Sequence, residues 1–527
     1  MTYRIVWFKR DLRISDHQPL VEAVKHGPVL CLYVVEPSLW SEPDAAAQHY
    51  GFVGESLRAL DDSLRPLGTR LHIAVGEVVQ ILARLHAQAP FEAVHAHQET
   101  GNANTFARDL AVGKWCAENR VGWHEWPQFG VVRGLRDRGR WQSHWERQMG
   151  ASLVAAPLSI STASVVSDLV RSFDSRAMPE AFDLGLDPYQ PPGRQRGGRA
   201  RALTVLNDFI AERSTRYRGG ISSPLSAPDA CSRLSPFLAH GCLSMREVVQ
   251  ATRLKIHSLP GDAKRQRQGL QSFSSRLYWH CHFIQKLESE PELEWRNLHR
   301  GYDGLREPGW NAEHFDALVS GRTGWPMVDA CVAMLRETGW LNFRMRAMLV
   351  SVAAYPLWLH WQPVGQWLAR QFLDYEPGIH WPQMQMQAGT TGINTTRVYN
   401  PVKQAMDHDP AGHFVRRWLP ALRRVPDSWL FEPWHMGLEL QARIGVRVGQ
   451  EIAMPPVDLA DALRQAKARV HARRQEPEVK AAKAAVIERH GSRKRMPGST
   501  RDDSGEERPT RHRSKRTDAS EQMALDF

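Results

Sequence analysis

The rhythm of the chain changes once, near residue 130, and that change limits the folds open to it. In residues 1–130, short β-branched and aromatic runs alternate with helical patterns. Residues 5–8, 29–35, 71–75, 93–96 and 121–126 read as strands, and 45–67, 77–87 and 104–119 as helices between them. Such alternation builds βαβ units, so the expectation is a doubly wound, five-stranded parallel sheet. From about residue 199 to 474 apolar residues recur every three or four positions, predicting a large all-α domain with helices over 200–213, 245–256, 273–287, 312–320, 326–337 and 341–359. Residues 132–198 lose both rhythms and read as a long linker. The expected organisation is an α/β domain over 1–131, that linker, a helical domain over 199–474 and a charged, disordered tail over 475–527.

Within the helical half, residues 339–401 combine a strongly apolar run with Asn342, Arg344 and Arg346, followed by a Gly/Pro-punctuated passage carrying Asp374, Glu376 and His380. Burying an arginine costs several kcal/mol unless a carboxylate or ligand satisfies it. Arg346 and Asp374 therefore read as two arms closing on each other, either as a structural ion pair or around a large polar ligand. At 232–238, Ser235 is an N-cap candidate with Pro236 at the first helical position. This is a plain cap, or a phosphate seat built with Ser232. The run 276–283, with Arg276, Trp279 and His280, lines a cleft or packs a core. Two polar loops at strand ends, 9–13 and 97–102, stand where open α/β sheets bind ligands, although solvated turns look the same. No G-x-G-x-x-G or Walker motif is present.

Composition narrows the class further. Nineteen tryptophans supply faces for stacking or electron transfer, and a net charge of +11 favours a polyanionic partner such as nucleic acid. The six cysteines form no C-x-x-C pair and none follows Cys331, which excludes a four-cysteine iron–sulfur site in the C-terminal half; no metal site is expected. No apolar run reaches membrane-spanning length, so a soluble, cytoplasmic protein is expected; a monomer is expected as well.

Six segments, in order, carry a family resemblance: VWFKRDLR at 6–13, SRLSPFLAHGCLS at 232–244, GRTGWPMVDACVAML at 321–335, RMRAMLVS at 344–351, AGTTG at 388–392 and YNP at 399–401. Over residues 3–435 the chain resembles the DNA photolyase/cryptochrome flavoproteins, of the bacterial type without an iron–sulfur cluster. The resemblance implies U-shaped FAD in the helical domain. Tyr217, Ser232, Leu234 and Ser235 fall where the family grips its phosphates, and Arg346 and Asp374 match the ion pair beside the flavin ring. Trp279 falls on the cleft wall between flavin and substrate, and Trp361 on the middle of an electron-carrying tryptophan series, with Trp310 near its outer end. The implied activity is blue-light-driven repair of pyrimidine dimers in UV-damaged DNA, with a flipped lesion entering the cleft. The alternative is a photosensor with the same cofactor. A second antenna chromophore is implied near Lys9, Glu99 and Asn102, its identity open.

The sequence also departs from the family. Phe343 stands where an asparagine usually faces flavin and substrate, with Asn342 one position earlier, and the histidine pair of the (6-4) class is absent there. Arg276 replaces an acidic residue that touches the damaged bases, and His380 falls near the asparagine beside flavin N5. Met384 and Met386 replace two aromatics, so Trp381 or Tyr375 are the candidate substitutes for electron transfer. Finally, Gln522, Leu525 and Phe527 resemble the peptide by which bacterial repair proteins dock on the sliding clamp, two apolar anchors on a flexible tether.

Overall fold

A computed structural model describes residues 2–162, 178–393 and 397–490. Strands β1 (Arg4–Phe8), β2 (Val29–Val35), β3 (Leu71–Val75), β4 (Ala93–His97) and β5 (Gly122–Trp126) pair in parallel, in the order β3-β2-β1-β4-β5. Successive β1 side chains serve opposite cores. Ile5 and Trp7 pack with the helices Val78–Gln88 and Ala103–Glu118, while Val6 and Phe8 pack with Gln18–Lys25 and Ala47–Leu64. Burial on both faces is why these strands read as continuous apolar runs. The strand order reverses at β1, so the loops after β1 and β4 part and leave a crevice at their carboxyl ends.

The helical half is centred on the helix Lys264–Ser289, which packs against Ser214–Gly220 on one side and Pro377–Ala388 on the other. Gly269 permits the first approach: a Cβ there would lie 2.0 Å from the Ser214 carbonyl oxygen. Gly378 permits the second, since a Cβ would lie 2.7 Å from Ile284 Cα. The helix Phe343–Ala354 packs on Pro377–Ala388, which sets Arg346 opposite Asp374.

Three stretches are more helical than the sequence implies. Pro377–Ala388 is a helix despite Pro382 inside it, because packing against the long helix outweighs the lost backbone bond. Trp141–Gly150 forms a helix within the expected linker, burying Trp141, Trp145 and Met149. Pro477–His490 is helical where a disordered tail is expected; Val479 is buried and its carbonyl accepts a 3.0 Å bond from His299 Nε2. Gln522, Leu525 and Phe527 lie outside the described residues. Among the described residues no helix is long and apolar enough to cross a membrane.

The loop after β1, a ligand-loop candidate by sequence, mainly joins the two halves. Leu12 N donates to His240 O (3.2 Å), Arg10 Nε to Ala239 O (3.0 Å) and Arg13 Nη1 to Gly241 O (3.1 Å). Asp16, just beyond the loop, pairs with Arg246 at 2.7 Å. Behind the loop, Asp11 Oδ2 accepts from His17 Nε2 (2.9 Å) and His97 Nδ1 (2.7 Å). Leu20 N donates to His17 Nδ1 (3.1 Å), which fixes the proton of that ring on Nε2.

Candidate functional site

A cleft of about 1250 Å³, mouth included, opens in the helical half. It continues into an inner chamber of about 170 Å³, sharing Ser235, His280, Phe343, Arg346, Asp374, Ile379 and Gln383. The shared lining makes cleft and chamber one connected space. Its floor is the Arg346–Asp374 pair. Arg346 Nη2 donates to Asp374 Oδ2 at 3.0 Å, Nη1 lies 3.0 Å from Oδ1, and Nε donates to Leu341 O at 2.8 Å. The guanidinium also stacks 4.1 Å from the Phe372 ring. Burial alone would raise the Asp374 carboxyl, but the charge and hydrogen bond of Arg346, with Ser235 and Arg233, hold it below the usual carboxylate range.

The lining has a definite chemistry. Among the described residues, Arg233, Arg276, Arg344, Arg346 and Arg397 line the cleft with a single carboxylate, Asp374, beside the aromatic faces of Trp279, Phe283, Trp340 and Phe343. Arg233 is held at φ +63° with its guanidinium 3.9 Å from the Trp340 ring, and burial pushes it down to about 10. Arg213 braces that turn from behind, donating to Cys231 O and, at 3.2 Å, to Ser232 O. His280 Nδ1, Asn342 Oδ1 and Gln383 Oε1 are buried at this cleft without a hydrogen-bond partner among the described residues. Cations and hydroxyls suit a diphosphate, while flat aromatic walls and unpaired polar atoms suit a heteroaromatic ring. The residues present therefore fit a flavin dinucleotide.

Tyr217, Ser232, Ser235, Arg276, Trp279, His280, Asn342, Phe343, Arg346 and Asp374 all line the cleft, and His380 and Glu376 line the inner chamber. Four details differ from the sequence reading. Leu234, not Ser235, occupies the N-cap position, and its fully buried side chain belongs to a hydrophobic core rather than to the lining. Glu376 gives its Oε2 to Arg10 of the α/β half, so it first serves to join the halves. His380 turns Nε2 to Gly365 O at 2.9 Å, and burial drops its imidazole to about 4, leaving it neutral. Met386 lies off the cleft, in a small depression with Lys286, Leu293 and Pro382. Asn342 donates to Ile221 O (3.0 Å) and Ser222 O (2.8 Å), so its Oδ1 is the atom left for a ligand. Sequence reading missed Gln383 and Arg397. Gln383 comes onto the wall four residues after Ile379, a relation legible only once 377–388 is a helix.

Beyond the chamber an aromatic series runs inward. Tyr375 and His380 have ring centroids 5.2 Å apart, His380 and Trp381 5.0 Å, Trp381 and Trp361 5.9 Å. Trp361 is fully buried and donates Nε1–H to Asn297 Oδ1 at 2.8 Å. Met384 also lines the chamber, and Trp310 sits on the surface against Phe315. A separate cleft of about 900 Å³ lies in the crevice of the sheet, between the halves, with Lys9, Glu99 and Asn102 on its walls.

Fold and cleft together define a two-domain flavoprotein with an α/β domain before a helical FAD-binding domain. Residues 4–132 match the family described as DNA photolyase, and 273–472 that described as FAD binding domain of DNA photolyase. The chain is 28% identical to cryptochrome DASH of Gloeobacter violaceus, over 86% of this chain and 93% of that one. It is also 28% identical to deoxyribodipyrimidine photo-lyase of Agrobacterium fabrum, over 88% and 96%. The structure of a bacterial class III photolyase from Agrobacterium tumefaciens superposes with a TM-score of 0.76 at 25% identity, covering 90% of this chain and 98% of that one. The chain belongs to the DNA photolyase/cryptochrome family.

Proposed function

We propose that this protein is a light-driven, FAD-dependent repair enzyme for pyrimidine dimers in DNA, most simply the cyclobutane type. The observation that carries the reading is the cleft itself: the Arg346–Asp374 floor, five lining arginines and an aromatic mouth within one connected space. When bound, reduced FAD supplies the light absorption and the electron that opens the dimer. The protein supplies position and electrostatics. Tyr217, Ser232, Ser235 and Arg233 would hold the diphosphate, and Arg346, pinned by Asp374, would offer a fixed cation to the ring. Trp279 and Phe283, 5.7 Å apart, offer faces on which flipped bases stack, and Arg344 and Arg397 offer phosphate contacts.

One observation favours the alternative, a blue-light sensor with the same cofactor. Arg276 puts a cation where the family's substrate contact is acidic, and it hydrogen-bonds Tyr217 within the cleft. The deciding experiment is illumination of the reduced, flavin-loaded protein with a dimer-containing oligonucleotide. Recovery of intact thymines is expected; none, from protein that carries flavin, leaves the sensor reading. Trp279→Ala is expected to weaken binding of that oligonucleotide by about 1–3 kcal/mol, the worth of one stacked base.

A further inference from the structure

The two clefts, one in the helical half and one between the halves, share one side chain. Tyr375 lines the inner chamber of the first and the wall of the second. Its hydroxyl does not end in solvent. It donates to Asp44 Oδ2 of the α/β domain at 2.6 Å, and Asn102 Nδ2 donates to the same oxygen at 3.2 Å. Asp44 is itself buried. The Tyr375 ring stacks on His49 with centroids 6.1 Å apart and meets His380 edge-on, so the phenol is held from three sides.

A phenol is a poor one-electron donor while it keeps its proton and a better one when a base accepts that proton as the electron leaves. Here the base is already in place, on a short charge-assisted bond. Burial first, then the charge of Asp44, push the Tyr375 hydroxyl well above its ordinary range, so a resting phenolate is disfavoured and the proton does not leave ahead of the electron.

We propose that Tyr375 and Asp44 form a proton-coupled electron donor to the flavin chamber. This rests on the flavin reading above and goes beyond it. In the step, Tyr375 gives one electron to the light-excited, oxidised ring of the bound flavin. The bond between Oη and its hydrogen breaks, the proton passes to Asp44 Oδ2, and a neutral tyrosyl radical and a neutral carboxylic acid result. The flavin gains the one electron that Tyr375 loses. This gives the chamber an entry for reducing equivalents that does not depend on Met384, a side chain unable to relay charge as an indole does.

The test is electron paramagnetic resonance and flash absorption on the full-length, flavin-loaded protein, oxidised and illuminated without added reductant. The native protein is expected to show a tyrosyl signal that Tyr375→Phe lacks. Asp44→Asn keeps the ring but removes the proton acceptor; it is expected to slow formation of the radical at least about tenfold, the worth of a lost bond to a charged group. In heavy water the native rate should fall, and the Asp44→Asn rate should not. A yellow native protein showing only tryptophan radicals, or a tyrosyl signal that survives in Tyr375→Phe, overturns the assignment. So does an Asp44→Asn rate equal to the native one. Colourless protein would overturn the flavin reading instead, so the two failures are distinguishable.

Discussion

Replacing Arg346 by alanine is expected to give a protein that purifies without flavin and unfolds at a markedly lower temperature. The change leaves Asp374, with a side chain only 6% exposed, as a buried carboxylate without its partner. Breaking such a pair costs about 3–5 kcal/mol, a large fraction of the roughly 5–15 kcal/mol that holds a domain folded. The bond to Leu341 O and the stack on Phe372 go with it. Arg346→Lys keeps the charge but not the two-pronged geometry, and should fall between. Acid gives the same pair an opposite signature in the two proteins. In the native protein the folded Asp374 carboxyl lies below its unfolded value of about 3.9. Its stabilisation is therefore complete above that value and lost only as pH falls through the folded one. In Arg346→Ala the main depressing charge is gone, Ser235 and Arg233 remain, and burial raises the carboxyl, so the variant should gain stability on mild acidification. Unfolding temperature against pH and flavin absorbance per chain read both effects. A variant that keeps its flavin and its unfolding temperature would show that the pair does not hold the site.

The second large effect is expected at Gly241, far from any ligand. Its φ is +66°, a region that costs a non-glycine residue about 1–2 kcal/mol, and a Cβ would lie 2.2 Å from Arg10 O and 2.4 Å from Asp11 Cα. The obstruction is backbone, on the loop that joins the two halves, so it cannot be relieved by a side-chain rotation. Gly241→Ala should therefore shift the loop after β1, weakening the bonds from Leu12 and Arg13 and displacing Arg10 from Glu376. Faster proteolysis between the halves and a lower unfolding temperature are the measurements; native-like resistance would mean that the halves tolerate a new register.

Much of this was legible in the residues, and the exceptions have physical causes. β2 and β3 end where the pattern puts them, because buried parallel strands are uninterrupted apolar runs bounded by turns. Arg346 and Asp374 were legible because charges inside an apolar pattern need each other. What failed was local reading of Pro377–Ala388, where a proline and a glycine argue against helix and only packing on Ile284 reverses the balance. The same packing puts Gln383 on the cleft wall and turns His380 Nε2 to the Gly365 carbonyl, neither of which the local sequence shows. Nothing local shows that Arg10, hundreds of positions earlier, pairs with the Oε2 of Glu376 while the residue also lines the chamber.

The helix Leu459–Gln475 and its continuation bear on the buried indole. Arg473 clasps the carbonyls of Gly301 (2.6 Å) and Asp303 (2.8 Å). Asp303 in turn receives Asn297 at 2.7 Å, whose oxygen steadies the Trp361 ring. A peripheral latch is thus geared to a buried tryptophan by three short links, and trimming the chain at the edge of the family's common core would slacken a part lying deep within it.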